Sequence, residues 1–391
     1  MKSTPVDGRR PITMQPVFPG IAGGQPLKVA FDARMIKYTG IGRYIQNLIV
    51  GLARHKGGNR YSVIVNNDGY APAGGDNIEY RKTSREIPPY SLREQILLPY
   101  EVIKTDSDMV HYPSFNMPFL NPKPAVVTIH DLIYLDPASC PNRAAHLYAW
   151  CMLRRAAGSA KKIITISQYS KKEIVSRLGV RPDKIVVIYH GVSPLYRVET
   201  DKERLEAIRN KYSIPGPYLL YVGNHQPRKN IRRLFDAFSM MRHYEDYTLV
   251  LTGKIDPRRQ SLYSEAERGG LKGRVLFVGE VPEIDLPALY SGAALFVFPS
   301  LSEGFGLPPL EAMACGVPIV SSAAMSIPEV VGDAGILIDA TDTGALCEAM
   351  DRVLSSRMLR DDLVAKGLKR AARFSWDEAT KKTLRVYEEL G

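Results

Sequence analysis

Short apolar strands alternate with amphipathic helical stretches through both halves of the chain, and that alternation sharply limits the folds open to it. Strands separated by helices pair in parallel, because each helix carries the chain back across a sheet face. The first half offers "LKVAFDA" (27–33), the amphipathic "IGRYIQNLIVGLARH" (41–55), then "YSVIVN", "MVHYP", "AVVTIH", "KIITIS" and "KIVVIYHG". The pattern restarts with "PYLLYVGN", a helix from about residue 229, "YTLVLTG", "RVLFVGE", "LFVFPS" and "PIVSS". At 391 residues the chain has room for two such units, each with its own core. The expected fold class is therefore α/β, with two Rossmann-like doubly wound domains.

The expected division starts with a loose tail over 1–26, rich in Gly and Pro and without the apolar stretch of a signal peptide. A first domain over 27–192 follows, then a linker over 193–211, which holds Pro194 and a charged run. A second domain spans 212–372, and a helix over 373–391 crosses back onto the first.

Hydrophobic content of 45% and charged content of 24% belong to a soluble globular protein. No stretch offers the roughly 18 apolar residues that a membrane span requires. The four cysteines include no C-x-x-C pair, which argues against structural zinc and suits a reducing cytoplasm. Residues 1–195 carry 26 Lys and Arg against 14 Asp and Glu, whereas 196–391 carry 26 against 27. The net charge of +11 thus resides in the first half, which should face something anionic. A non-catalytic basic protein bound to nucleic acid would interleave aromatics with Lys and Arg on a sheet face. Here the aromatics sit largely in helices and strand cores, so nucleic acid is not an expected partner.

Open α/β sheets bind ligands at the C-terminal ends of their strands. Gly40 and Gly42 follow the first strand, His130 and Asp131 end "VVTIHD", and Ser167 ends "IITIS". In the second half Gly223 ends a strand and leads into "HQPRKN", with Arg228 and Lys229 at the start of a helix, where backbone N–H groups favour anions. Cations fixed there could neutralise the charge that develops on a departing phosphate. "FPSLSEGFGLPPLEAMACGVPIV" (298–320) places Glu303 and Glu311 on either side of a Gly- and Pro-rich turn. Pro308 and Pro309 suit a first helical turn, where no N–H is needed. Glu311 is expected within that turn, where a carboxylate can accept from two neighbouring hydroxyls such as a ribose diol. The backbone N–H groups of Gly304, Phe305, Gly306 and Leu307 are available to a bound sugar.

"TGIGRY", "TIHDL", "ITISQYSKKEI", "YHGV", "VGNHQPRKNI", the E-x7-E stretch and "IPEVVGDAGILID", in that order, resemble the retaining glycosyltransferases of family four. The resemblance runs from about residue 27 to 390 and implies the GT-B fold, two Rossmann-like domains facing across a cleft. It implies that Glu303 touches the donor hexose, Glu311 the ribose, Arg228 and Lys229 the diphosphate, and His130 the hexose near the reacting carbon. Gly40 and Gly42 would lie near the diphosphate and acceptor, and Ser167 would line the cleft. No metal or other cofactor is expected, because two cations already face the phosphates.

The pattern looks most like bacterial mannosyltransferases of polysaccharide assembly. It implies a nucleotide-sugar donor, with GDP-mannose the best match, and a saccharide or polyprenyl-diphosphate-linked acceptor. A UDP-sugar donor and a GT-B nucleotide-sugar epimerase are the alternatives. "YAWCMLRRAAGSAKK" (148–162), with Trp150, Met152, Leu153, Arg154 and Arg155, has the composition of a helix lying on an anionic membrane surface. The expected location is the cytoplasm, peripheral to the inner face of the plasma membrane.

Overall fold

The computed structural model describes residues 26–55, 57–66, 72–136, 142–267 and 271–391. The expected tail lies outside these residues except for Pro26. Strands β1 (Lys28–Asp32), β2 (Arg60–Val65), β3 (Ile78–Lys82), β4 (Met109–Tyr112), β5 (Ala125–Thr128), β6 (Lys162–Thr165) and β7 (Ile185–Val187) form one sheet, ordered β3-β2-β1-β4-β5-β6-β7. Strands β8 (Tyr218–Val222), β9 (Thr248–Thr252), β10 (Val275–Gly279), β11 (Leu295–Phe298), β12 (Ile319–Ser322) and β13 (Ile336–Ile338) form a second, ordered β10-β9-β8-β11-β12-β13. Every pairing in both sheets is parallel. Strand order reverses between β1 and β4 and again between β8 and β11, the crevices where doubly wound sheets bind ligands.

Along the first half run helices α1 (Thr39–Arg54), α2 (Glu94–Ile103), α3 (Arg143–Ser159) and α4 (Gln168–Leu178). Next come α5 (Lys202–Lys211), α6 (Ile231–Ser239), α7 (Gln260–Ala266), α8 (Leu286–Ser291), α9 (Leu307–Ala314) and α10 (Ile327–Val331). The chain closes with α11 (Thr343–Ser355), α12 (Arg357–Ala371) and α13 (Trp376–Glu388). Period-two alternation explains why β1 serves two cores: Val29 and Phe31 enter one, Ala30 the other. In α1, Ile45, Leu48, Ile49 and Leu52 are buried at helical spacing. They share their core with Ala379, Leu384, Val386 and Tyr387 of α13, so the C-terminal helix covers the first sheet.

The stretch 193–211 is not simply a linker. Its charged run folds as α5, capped by Asp201, whose side chain accepts from the Glu203 and Arg204 N–H groups. Ile208 anchors α5 in the second core. One buried residue in a charged decapeptide is a weak periodic signal, which is why the helix reads as a connection.

The expected membrane-facing helix also needs correcting. Met152 and Leu153 of α3 are fully buried, Lys161 follows the helix, and Lys162 lies on β6, paired with Glu389. The more exposed apolar surface lies along α2 and the turn before it. Leu92, Ile96, Tyr100 and Ile103 recur at helical spacing with exposures of 85, 75, 54 and 58%. Phe119, Leu120, Leu147 and Trp150 are further exposed apolar side chains of this domain. Lys104 lies over the Tyr100 ring and Arg154 over Trp150.

Candidate active site

The loop after β11 is shaped by hydroxyls and one left-handed glycine. Ser300 donates to the Arg228 carbonyl, Ser322 to the Ser300 carbonyl, and Ser326 to the carbonyls of Glu303 (2.9 Å) and Phe305 (3.1 Å). Gly306 has φ of +109°, a conformation that a side chain would strain, and caps the start of α9. Pro308 and Pro309 follow in the first turn.

Opposite this loop, "PRKN" departs from the expected helix start. Pro227–Lys229 form a single 3-10 turn, Asn230 is left-handed at φ 61°, and α6 begins only at Ile231. Asn230 ties the turn to the second sheet by donating to the carbonyls of Pro299 and Ala340. Arg228 and Lys229 thus sit on a short rigid platform beside the β8/β11 crevice.

Both cations converge on Glu303. The Lys229 ammonium lies 2.5 Å from one Glu303 oxygen, which also accepts from Ser300, and Arg228 lies 3.4 Å from the other. Burial opposes ionisation of Glu303, but Lys229 and Arg228 outweigh it and hold the carboxyl below its ordinary range. Burial draws the Lys229 ammonium down, partly offset by Glu303. Lys229 also stands over the Phe298 ring at 5.1 Å.

The first domain approaches the same place through Asp131. One of its oxygens accepts from the Ile133 N–H at 3.0 Å, at the start of the turn Ile133–Leu135. The other lies against Gly304, where a Cβ would come within 2.4 Å of it, so a side chain there would push the Asp131 carboxylate away. His130 donates its Nε2 proton to the Pro113 carbonyl at 2.9 Å, and burial lowers its pKa to about 4, leaving a neutral ring. His190 links it to the second domain, 5.6 Å from His130 and 5.2 Å from Phe305 between ring centres. A cavity of about 350 Å³ opens between Asp131, Tyr169 and Glu173 on one side and Arg228, Glu303 and Met325 on the other.

Other expected site residues lie differently. Glu311 is the fifth residue of α9, beyond its first turn, and is buried. One oxygen pairs with Arg43 of α1, and the other accepts from Tyr290 at 3.0 Å. Gly40 and Gly42 belong to the first turns of α1 rather than to a loop. Gly42 is there because a Cβ would come within 2.5 Å of the Ile36 carbonyl, whereas Gly40 faces open space. Ser167 is fully buried and caps α4 by accepting from the Ser170 N–H, so it does not line the cleft. Gly223 follows β8 with φ of +155°, and Leu307 opens α9. His111 of β4, not an expected site residue, is held by Tyr387 and Thr128 within the first domain.

Sequence reasoning missed two residues that join the domains. Arg43 stands inside "TGIGRY", where attention falls on the glycines. Glu329 of α10 accepts from the Gln168 and Tyr169 N–H groups at 2.7 and 2.6 Å, capping α4 from the opposite domain. Its only sequence signal is a lone carboxylate in "IPEVV".

Comparison with known proteins decides the family. Residues 38–194 match the family described as Glycosyltransferase Family 4, and residues 205–370 that described as Glycosyl transferases group 1. The O-antigen chain mannosyltransferase B of Escherichia coli is 35% identical over 93% of this chain and 100% of its own length. The chain is a family-four glycosyltransferase.

The serotype-specific mannosyltransferase WbdA of E. coli is 33% identical over 70% of this chain, which spans 34% of that protein. Among solved structures, sucrose-phosphate synthase from Thermosynechococcus elongatus superposes with TM-score 0.77 at 21% identity, over 93% of this glycosyltransferase and 99% of that chain. WaaG, a glycosyltransferase involved in lipopolysaccharide biosynthesis, gives 0.72 at 18% identity, over 92 and 99%. These likenesses establish the GT-B fold. The glycosyltransferase is a nucleotide-sugar-dependent hexosyltransferase.

Proposed function

We propose that this glycosyltransferase transfers mannose from GDP-mannose, with retention of configuration, to a saccharide carried on a polyprenyl diphosphate in surface polysaccharide synthesis. The observation that carries the reading is the Lys229–Glu303–Arg228 cluster at the β8/β11 crevice, with Lys229 buried, in a chain 35% identical to an O-antigen mannosyltransferase. The donor diphosphate would take over the two cations, and Glu303 would turn to the hexose hydroxyls. The bond from the anomeric carbon to the phosphate oxygen then breaks while the acceptor oxygen attacks from the same face. The acceptor proton passes to the departing phosphate oxygen, and the nucleoside diphosphate leaves. Front-face attack fits the carboxylates present: Glu303 is held between two cations and Asp131 is tied to the Ile133 N–H, so neither is a free nucleophile.

Product detection with GDP- and UDP-sugars against a polyprenyl-diphosphate-linked saccharide tests the proposal. GDP-mannose is expected to be the productive donor, at a rate unchanged by EDTA. A product formed only from a UDP-sugar would replace the donor assignment, and a strict Mg²⁺ or Mn²⁺ requirement would show that Arg228 and Lys229 do not suffice.

The acceptor class also suggests where the enzyme works. No helix of the described residues is long and apolar enough to cross a membrane. The stripe along α2, with Lys104 and Arg154 beside exposed aromatics, has the chemistry of a surface resting on anionic lipid. Each basic residue near such a surface contributes roughly 1 kcal/mol. In flotation with anionic liposomes, binding is expected to fall steeply with salt and to be lost in Ile96→Glu/Ile103→Glu. Equal flotation with neutral and anionic liposomes would end this assignment.

A further inference from the structure

We infer that Arg43 is an internal occupant of the nucleotide site, holding the Glu311 carboxylate until a donor displaces it. The inference rests on the reading of Glu311 as the ribose-binding carboxylate. Both oxygens of Glu311 are engaged on a side chain closed off from solvent: Arg43 Nη1 pairs with Oε1, and the Tyr290 hydroxyl donates to Oε2. Its side chain is 4% exposed. A ribose diol donates two hydrogen bonds to a carboxylate and must lie against it. It cannot do so while the guanidinium fills that place.

The surroundings hold Arg43 firmly where it is. Its Nη2 donates to the Tyr196 hydroxyl at 3.2 Å, that hydroxyl donates to Glu283 at 3.4 Å, and Glu283 lies 4.0 Å from Arg43 Nε. Tyr196 and Glu283 thus form an outer wall that keeps the guanidinium facing Glu311. With the site empty, the pair also spares a buried carboxylate from standing alone, a costly state. Arg43 belongs to α1 of the first domain and Glu311 to α9 of the second, so the pair spans the cleft. Donor entry therefore exchanges one Glu311 partner for another. The apparent affinity for nucleotide is lowered by the fraction of molecules in which Arg43 has withdrawn.

This makes a prediction opposite to simple electrostatics. Removing a cation near an anionic ligand ordinarily weakens binding, whereas removing a competitor strengthens it. Arg43→Gln is expected to bind nucleotide about tenfold more tightly than the wild type, the factor set by a competent fraction of about one in ten. Calorimetric titration of GDP, and of UDP, into both full-length proteins measures this. Tyr196→Phe releases one hold on Arg43 and is expected to tighten binding by a smaller factor. It is the deciding variant if Arg43→Gln does not fold. Unchanged or weaker binding in the variant that folds overturns the inference while leaving the donor site in place. A wild type that binds neither nucleotide removes the donor-site reading, and the inference with it.

Discussion

Lys229→Ala is expected to lower the transfer rate at least about a hundredfold, the scale of losing one preorganised charged contact. Lys229 is 6% exposed, and its ammonium is fixed by Glu303 and faces the Phe298 ring. A cation held away from water acts on a departing diphosphate more strongly than a solvated one, because little solvent screens it. Arg228 alone would then carry the leaving-group charge from a longer, 3.4 Å approach to Glu303. The variant also leaves Glu303 without its closer cation, so a thermal melt must accompany the kinetics. Steady-state transfer assays at saturating donor separate the effect on kcat from that on KM. A kcat within about fivefold of wild type, in a protein that melts normally, would remove Lys229 from the catalytic machinery; the expected factor is a loss of transition-state stabilisation.

Glu94→Ala is expected to destabilise the first domain by about 3–5 kcal/mol, the scale of breaking a buried ion pair by removing one partner. The Glu94 side chain is fully buried, and its Oε1 lies 2.5 Å from Arg34, whose side chain is 1% exposed. Its Oε2 accepts from the Tyr90 N–H at 3.0 Å and from Asn116. Asp32 would still neutralise Arg34 at 2.7 Å. The Tyr90 N–H and the Asn116 amide would nevertheless lose their acceptor, and each unpaired buried donor costs about 1–3 kcal/mol. Trp376 of α13 packs against the first core and Trp150 of α3 lies on the same domain's surface, so denaturant unfolding followed by tryptophan fluorescence reports that domain. A change below about 1 kcal/mol would show that water replaces the lost carboxylate, as at solvated sites.

This network illustrates where sequence reading stops. Asp32, Arg34, Glu94 and Asn116 come from one strand end, one helix start and one loop, 22 to 60 residues apart except for the first pair. Nothing local marks them as partners. Their meeting depends on β1 and β4 becoming neighbours, which strand order decides. The same limit applies to α3, whose Trp, Met and Arg content suits either a core or a surface. Packing against the first sheet buries Met152 and Leu153 and leaves the exposed apolar face to α2.

The sequence by itself determined the two parallel sheets, because alternating strand and helix periods admit little else. It also determined that Arg228, Lys229 and Glu303 lie in the connections that follow strands, since Gly, Pro and Asn mark those turns through backbone preferences that act locally. Tertiary structure alone decided that the two cations close on Glu303, that Arg43 fills the place at Glu311, and that Glu329 caps α4 from across the cleft. The physical reason is range. Periodicity and turn chemistry act within a few residues, whereas these contacts join residues 74, 268 and 160 or more positions apart; the first needs the second domain folded, and the other two exist only once both domains have met.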